Sequence, residues 1–346
     1  MAPFHLIPTG LVSGEAAARA VAAGDACPLA GEQIAFTTLT QLSRAEDGTG
    51  RRQAMSLRAA KEKAASQLAA LSAPRRPWAG FDLARPLIMG IINVTPDSFS
   101  DGGDNADAAT AIRFGEQLLE AGADILDVGG ESTRPGSEPV SPQDEIARVV
   151  PVIRTLAEKG AVISIDTRHA AVMEAAVAAG ARIINDVTAL TGDPDSQMVA
   201  AKAGADLVLM HMQGEPQTMQ RDPHYADVTL DLLDYFAARL KALRQLGIDA
   251  SKVSLDPGIG FGKNDQHNMR LMAELAAFHA FGCAITLGVS RKSFVGRFSR
   301  KEPPKQRVAG SLAAGLAGIA RGVQILRVHD VAETYQAIVI WQAVSA

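Results

Sequence analysis

The sequence predicts an α/β fold: a closed (β/α)8 barrel, the TIM-barrel architecture, preceded by an N-terminal extension. Between Pro86 and Asp330, eight short apolar runs each end in a polar or charged residue and a turn marked by Gly or Pro, and an amphipathic helical pattern follows each run. Such alternation predicts parallel strands buried on both faces and joined as βαβ units. Eight units predict a barrel with its catalytic residues at the C-terminal ends of the strands. The runs end at Asn93, Asp127, Asp166, Asn185, His211, Asp256, the corner at 290–292, and Arg327.

Each predicted strand is short and is followed by helix signals. The strands cover residues 87–92, 123–128, 161–165, 181–184, 206–210, 253–255, 284–289 and 323–326. Ser141 before Pro142 is typical of a helix start, and Gly122 and Gly247 are typical of helix ends. An open, doubly wound sheet is the rival fold, and it would bind its ligand after a glycine-rich first turn. The first turn here is Asn-Val-Thr-Pro, and polar strand ends recur along the whole chain, so the barrel is favoured.

Residues 1–85 differ from the rest and carry no chemical motif. Their composition predicts a short helix at 15–23, a strand at 34–42, a loop at 44–51 and a helix at 56–71, with a linker at 74–77. We interpret them as a structural or oligomerisation extension of unknown role. Residues 86–346 then form the catalytic barrel, which is close to the roughly 250 residues such a fold needs.

Composition limits the class of protein. The 346-residue chain has a formal net charge of -4, which argues against general binding of nucleic acid or acidic membranes. Its two cysteines, Cys27 and Cys283, form no C-x-x-C pair, a pattern typical of a reducing compartment. No run approaches the roughly 18 apolar residues of a membrane span, and the N-terminus lacks a secretory signal pattern. We expect a cytoplasmic enzyme.

Two polar, glycine-containing loops follow the first two predicted strands. Asn93 opens the first, and its amide oxygen suits a metal or a phosphate-bound metal. Phe99 lies in that loop between hydroxyl and carboxylate residues. The second loop carries Arg134, which could clamp a phosphate or carboxylate bidentately. A hydrogen-bonded turn and a solvated arginine are the alternative interpretations.

Three further strand ends carry Asp166, Asn185 and Asp256. Two carboxylates and an amide in a semi-buried pocket could bind the donors and acceptors of a flat heterocycle. Carboxylates in such a site can also have raised pKa values. Each residue could instead only cap the helix that follows it.

Basic residues cluster after the last two predicted strands. Lys292 follows the seventh, and Arg327 and His329 follow the eighth, where this fold usually binds phosphate. These cations suit a diphosphate, with scattered surface charge as the alternative. The glycine-rich stretch at 256–263 is not a P-loop, because Asn264 stands where the motif needs Ser or Thr. His211 has no assigned role.

Taken together, these segments resemble the dihydropteroate synthase family, from about residue 86 to the C-terminus. The resemblance rests on MGIINVTPDSFSDGG (89–103), GESTRPG (130–136), IDT (165–167), IND (184–186), MHMQG (210–214), DPGIGFGK (256–263), SRKSF (290–294) and RVHD (327–330). Their shared order makes the combination specific, although several of the segments alone would not be.

The resemblance implies a (β/α)8 barrel and a reaction of folate biosynthesis. In that reaction 6-hydroxymethyl-7,8-dihydropterin diphosphate loses pyrophosphate, and the amine of 4-aminobenzoate attacks the exposed methylene to give 7,8-dihydropteroate. The implied cofactor is Mg²⁺ and the implied assembly is a homodimer through late barrel helices. The aminobenzoate site is also where sulfonamide drugs would compete.

The resemblance also implies a role for each matched residue. Asp166, Asn185, Asp256 and Lys292 would hold the pterin ring. Asn93 with Mg²⁺, Thr133, Arg327 and His329 would bind the diphosphate. Phe99, Pro135, Phe261 and Ser293 would form the aminobenzoate site. Asp101 and Arg134, from the two loops, would act in catalysis together with Lys292.

Two other functions stay open at this level. A pterin-dependent methyltransferase could share the Asp and Asn ring-binding positions, but it would not need Lys292, Arg327 and His329 placed for a diphosphate. A catalytically silent pterin-binding paralogue would be favoured by the loss of a loop or a basic residue, and none is lost here.

Overall fold

The structure, a computed structural model, describes residues 4–31, 34–94, 104–131, 140–215 and 218–345. The strands are β1 (Phe4–Ser13), β2 (Cys27–Pro28), β3 (Ile34–Arg44), β4 (Gly50–Ser56), β5 (Leu87–Asn93), β6 (Ile125–Gly129), β7 (Val162–Asp166), β8 (Ile183–Asp186), β9 (Asp206–Met210), β10 (Val253–Asp256), β11 (Ala284–Leu287) and β12 (Ile325–Val328). The helices are α1 (Gly14–Ala23), α2 (Leu57–Lys63), α3 (Ala65–Ser72), α4 (Asp104–Glu120), α5 (Pro142–Glu158), α6 (Ala170–Ala178), α7 (Ser196–Ala203), α8 (Val228–Gln245), α9 (Asp265–Ala273), α10 (Ser293–Phe298), α11 (Val308–Ile319) and α12 (Val331–Ser345). Short 3-10 segments precede β10 and β11.

The last eight strands close into one parallel barrel, so the predicted fold is confirmed. Each strand from β5 to β12 pairs with the next along the chain, and β12 pairs back onto β5. The closing pair runs from Ile325 opposite Leu87 to Val328 opposite Gly90. All barrel pairs are parallel, so every strand presents its C-terminal end at the same rim.

Apolar packing fills both surfaces of the barrel wall. Side chains such as Ile92, Ile165 and Leu209 pack outward with the surrounding helices in one large cluster. Inside the barrel, Met89 and Ile325 belong to a second cluster that also contains Trp78 and Leu83. The segment before β5 therefore closes the N-terminal end of the barrel, opposite the rim that carries the polar strand ends.

Helix boundaries follow the local signals. The Ser141 hydroxyl accepts the Asp144 backbone N–H and caps α5, with Pro142 in the first turn. Gly122, just after α4, has φ +102, a conformation that favours glycine. An added Cβ there would also lie 2.6 Å from the Tyr335 ring, so this helix end packs closely on α12.

The N-terminal extension is richer in strands than the sequence predicts. β3 pairs with β1 on one edge and with β2 and β4 on the other, all antiparallel. The predicted loop at 44–51 is instead the end of β3, a turn, and the start of β4. The predicted helix at 56–71 breaks at Ala64 into α2 and α3.

These differences have physical causes. β1 contains Pro8 and Gly10, which are unfavourable in strands, and β4 is polar, with only Met55 buried. Both strands are stabilised by long antiparallel pairing with β3, which local propensity does not reveal. The extension has its own apolar cluster, including Leu6, Phe36 and Leu71, and this cluster reaches Ala276 of the barrel.

No helix within the described ranges is both long and apolar enough to cross a membrane.

Replacing Trp78 with alanine is expected to lower the free energy of unfolding by about 3–5 kcal/mol, because a large cavity would open at the closed end of the barrel. Trp78 is 1% exposed, and its indole N–H donates to the Lys252 carbonyl at 3.2 Å. Urea denaturation measures the change. Phe298→Ala is the control, because Phe298 is 63% exposed and should cost less than about 0.5 kcal/mol. Equal losses in both variants would contradict the packing role of Trp78.

Candidate active site

A cavity of about 1190 Å³ opens at the C-terminal rim of the barrel. It is referred to below as the mouth. Parallel pairing sets Asp166 of β7 level with Gly129 of β6 and with Asn185 of β8, so neighbouring strands deliver polar groups at one height. Sequence-predicted residues that line the mouth are Asn93, Asp166, Phe261, Lys292, Ser293, Arg327 and His329.

Arg327 is the charged centre of the mouth. Its Nε donates to Asp127 Oδ2 at 2.5 Å, and a terminal nitrogen donates to Asp166 Oδ2 at 2.6 Å. The Asn185 amide nitrogen donates to the same Asp127 oxygen at 3.1 Å. Asp127 is fully buried, so one guanidinium from β12 joins carboxylates from β6 and β7 across the barrel interior.

This cluster perturbs the acidity of its members. Burial raises the pKa of Asp166 to about 7, and the nearby Asp127 charge adds to the rise while Arg327 opposes it. Burial alone would lower the pKa of Arg327, but the charges of Asp127 and Asp166 outweigh it and the net direction is upward. The second Asp127 oxygen, Oδ1, has no hydrogen-bond partner among the described residues. The carboxylates therefore exceed the one cation that binds them, which favours a ligand with N–H donors.

Lys292, His329 and Ser290 form the basic side of the mouth. The Lys292 ammonium lies 4.0 Å from the centre of the Phe261 ring, a cation–π contact. The His329 backbone N–H donates to the Ser290 hydroxyl oxygen at 3.2 Å, and its Nδ1 lies 3.1 Å from the same oxygen. This pair orients the imidazole beside Arg327. Cations at the ends of two adjacent strands suit an anionic group of the ligand.

Asp256 lies beneath the mouth at the end of β10. Its Oδ1 accepts the Gly258 N–H at 2.7 Å, and burial raises its pKa while that hydrogen bond and the Lys292 charge oppose the rise. Gly258 has φ +66, and a Cβ there would come 2.0 Å from the His211 carbonyl oxygen. Only glycine fits this turn, which holds the following loop close to β9.

A buried lysine ties that loop to His211. Lys263 is fully buried, and its ammonium donates to the carbonyls of His211 at 3.1 Å and Phe261 at 2.9 Å. It also lies 3.0 Å from His211 Nδ1. Burial lowers the pKa of Lys263 to about 7, and burial together with the Lys263 charge lowers the pKa of His211 to about 2. His211 is therefore neutral and acts as a structural partner of Lys263.

The other predicted site residues divide into two groups. Asn185 and Asp256 are buried at their strand ends and do not line the mouth directly. Asn185 contacts it through Asp127, and an Asp256 oxygen lies behind Gly288, which is a lining residue. Phe99, Asp101, Thr133, Arg134 and Pro135 lie outside the residues that the structure describes.

The structure adds Asp127 and Lys263 to the site. Sequence analysis identifies Asp127 only as a polar strand end, although a carboxylate inside an apolar run already indicates a buried partner. In the sequence, Lys263 appears only in the glycine-rich stretch at 256–263, which is not a P-loop and which resembles a family segment, with no role indicated for its side chain. No local signal shows that its side chain turns inward, because the acceptors lie on β9 and on the loop itself.

The described residues contain no group of three or more His, Cys, Asp or Glu arranged to hold a metal ion. Asn93 nevertheless lines the mouth together with Arg327 and His329. Mg²⁺ is commonly bound by one or two protein oxygens together with substrate phosphates and water. The single amide oxygen of Asn93 fits that kind of site, in which a bound diphosphate supplies the remaining charge.

Comparisons with known proteins identify the family of this chain. A family model described as "Pterin binding enzyme" matches residues 89–329. Dihydropteroate synthase from Neisseria meningitidis serogroup B is 49% identical over 266 residues, which is 75% of this chain and 93% of that protein.

Solved structures agree as well. Xanthomonas albilineans dihydropteroate synthase with 4-aminobenzoic acid is 46% identical, with a TM-score of 0.72 over 76% of this chain and 94% of that one. The same organism's enzyme in complex with 7,8-dihydropteroate is 44% identical, with a TM-score of 0.70 over 76% of this chain and 95% of that one.

Replacing Asp127 with asparagine is expected to lower the pKa of Asp166 from about 7, because a neighbouring negative charge that opposes its ionisation is removed. Arg327→Gln should move the same pKa upward, since it removes the opposing positive charge. Carboxyl ¹³C NMR titration measures both shifts, with Asp166→Asn assigning the resonance. An Asp166 pKa that moves in the same direction in both variants would contradict this account.

Proposed function

This chain belongs to the pterin-binding enzymes, among the dihydropteroate synthases, and we propose that its mouth is the site where the two substrates of that reaction meet. The enzyme condenses 6-hydroxymethyl-7,8-dihydropterin diphosphate with 4-aminobenzoate and releases pyrophosphate, giving 7,8-dihydropteroate. The observation that carries this proposal is the division of charge in one cavity. Buried carboxylates centred on Asp166 occupy its floor, and Lys292, Arg327 and His329 line its wall.

The floor suits the pterin ring. A pterin presents several N–H donors, and the proposed acceptors are Asp166, which lines the mouth, and Asp256, which is buried beneath it. Asn185 donates its amide to Asp127, which leaves its own carbonyl oxygen to accept. Lys292 supplies the complementary donor. Leaving a buried donor or acceptor without a partner costs about 1–3 kcal/mol. These groups therefore favour a ring whose hydrogen-bond donors and acceptors match them.

The cationic wall suits the diphosphate. Negative charge builds on the leaving group as the C–O bond breaks, and the fixed cation of Arg327 together with a hydrogen bond from His329 would lower that barrier. Thr133, on the second loop, would add a hydroxyl donor. Asn93 would hold Mg²⁺, which when bound supplies further neutralisation of the leaving diphosphate.

Phe261 and Ser293 form the proposed aminobenzoate side, together with Phe99 and Pro135. The Lys292 ammonium makes a cation–π contact with the Phe261 ring, so the lysine lies between the proposed pterin and aminobenzoate regions. Departure of the diphosphate leaves an electron-poor methylene, which the weakly basic aromatic amine can attack without a strong general base. Asp101 and Arg134 would close over the reacting groups and exclude water, the competing nucleophile.

We also propose a homodimer formed through α12. Its outer face exposes Tyr335, Val339, Ile340 and Val344, with Ile340 60% and Val344 81% exposed. Contiguous apolar side chains of this kind mark an interaction surface. A cytoplasmic location is part of the proposal, because Cys27 and Cys283 are unpaired thiols.

The purified protein is expected to form dihydropteroate and pyrophosphate from the two substrates, and removal of Mg²⁺ with a chelator should slow the reaction strongly. Coupled pyrophosphate release and chromatography of the product measure both. A protein that binds pterin but releases no pyrophosphate would overturn the proposed function.

His329→Gln tests the diphosphate assignment within that assay. Arg327 is a poorer choice, because its removal would also leave Asp127 and Asp166 without their cation. Affinity for the pterin diphosphate should fall roughly 10- to 100-fold, which corresponds to the free energy of one hydrogen bond to a charged group. Affinity for the unphosphorylated pterin is the internal control and should not change. Equal losses for both ligands would refute the role of His329.

Ile340→Asp is expected to give a monomer, because burying a carboxylate in an apolar interface costs more free energy than placing one on the exposed surface. Sedimentation equilibrium should give twice the 36.3 kDa chain mass for the parent protein and the chain mass for the variant. Met198→Asp, at a 50% exposed apolar residue on α7, should leave the dimer intact. A parent protein that sediments as a monomer would exclude this assembly.

A further inference from the structure

The β3–β4 hairpin of the N-terminal extension contacts the start of α8. The family match begins at residue 89, so this hairpin lies before it. Two arginines, Arg44 at the end of β3 and Arg52 in β4, extend from it towards the first turn of α8. That turn follows the segment carrying Met219 and Gln220, which line the mouth.

Arg52 binds two barrel carboxylates at once. Its Nε and one terminal nitrogen donate to Glu274 at 2.7 and 2.8 Å, and the other terminal nitrogen donates to Asp227 at 2.7 Å. Asp227 and Glu274 are both 10% exposed and Arg52 is 22% exposed. The interaction is bidentate and partly buried, the geometry in which Arg and carboxylate interact most strongly.

Both carboxylates hold the start of α8. Asp227 Oδ1 accepts the backbone N–H groups of Thr229 and Leu230 at 3.1 Å, and Glu274 accepts the Thr229 hydroxyl at 2.6 Å. Asp227 is therefore the N-cap, and Arg52 fixes the orientation of that cap.

Arg44 makes a parallel contact. It donates to Asp231 at 2.9 Å, and the other oxygen of Asp231 accepts the Ala226 N–H at 3.1 Å. The hairpin thus restrains residues 226–230 from two sides.

Tyr225, the residue directly before this restrained segment, contacts the proposed aminobenzoate side. Its hydroxyl donates to the Gly262 carbonyl at 2.8 Å. Gly262 has φ +59, and an added Cβ would lie 2.3 Å from the Gln213 carbonyl oxygen, so the loop packs closely against Gln213 there. Gly262 lies between Phe261, whose ring meets Lys292, and Lys263, which donates to the Phe261 carbonyl.

We propose that the extension is a positioning element for the aminobenzoate side of the site, with Arg52 as its principal residue. Arg52 acts through Asp227, Tyr225 and the Gly262 carbonyl to hold Phe261 against Lys292. This inference rests on the proposed function for the identity of the ligand. Asp166 and Asn185 lie on β7 and β8, outside this chain of contacts, so this part of the pterin floor does not depend on Arg52.

Arg52→Ala is the primary test, made in the full chain, with Arg51→Ala as the matched control. Arg51 is the preceding residue of the same strand and is exposed. In Arg52→Ala the KM for 4-aminobenzoate should rise on the order of 10-fold, less than the ~100-fold that a misplacement of 1 Å can cost. The KM for pterin diphosphate and kcat should change less than about 2-fold. Arg51→Ala should match the parent. If the KM of Arg52→Ala for 4-aminobenzoate is unchanged, or if its KM values for both substrates rise equally, the proposal is overturned.

Tyr225→Phe tests the same chain of contacts without touching the extension. It should give the same selective rise, and the double variant with Arg52→Ala should be no worse than the more affected single variant. Additive effects would show that the two residues act separately and would refute the proposed connection.

Hydrogen exchange gives a readout that does not need activity. Arg52→Ala should speed exchange in peptides covering 225–231 and 258–263 and leave 183–190 unchanged, whereas a uniform increase would indicate only lost stability and overturn the proposal. If the parent protein makes no dihydropteroate, the proposed function fails, and the exchange pattern still decides whether the extension restrains this loop.

Discussion

The guanidinium of Arg327 lies between the buried carboxylates of Asp127 and Asp166, and the floor of the mouth depends on that arrangement. Without the cation, two negative charges would face each other in a low-dielectric interior, which is strongly unfavourable. With it, one carboxylate orients Asn185 and the other has a pKa near neutrality. The acceptor-rich floor is thus held in place by the protein's own ion pairs and hydrogen bonds, which lowers the ordering cost of binding.

Barrel closure makes this interaction possible. Arg327 is on β12, and its partners are on β6 and β7, which are distant in sequence yet share the interior of one closed sheet. Parallel strands deliver all their C-terminal ends to one rim, so groups of opposite charge meet there without any long loop. Trp78 and its neighbours pack at the other end, and the mouth opens at the rim that carries the polar strand ends.

The loop from Asp256 to Lys263 shows how backbone constraints complement these charges. Gly258 and Gly262 adopt left-handed conformations in contact with the β9 end, and Lys263 is buried with backbone carbonyls as acceptors. Burial lowers the pKa of Lys263 to about 7, well below that of an exposed lysine. The loop is consequently held from inside by Lys263 and from outside by Tyr225, and Phe261 is presented to Lys292 between these two anchors.

The sequence by itself determined the number of barrel strands, their parallel order and the rim that carries Asn93, Asp166, Asn185 and Asp256, because apolar periodicity and polar strand ends are local signals. It also identified the family, through segments whose order is specific. Tertiary structure alone decided the partners: that Asp127 binds Arg327, that Lys263 turns inward, and that Arg52 reaches Asp227 and Glu274. It likewise decided β1 and β4, whose residues are poor strand formers and are stabilised by pairing with β3. The physical reason is the same in each case, since these interactions join residues far apart in sequence, and their free energy exists only once the chain has brought them into contact.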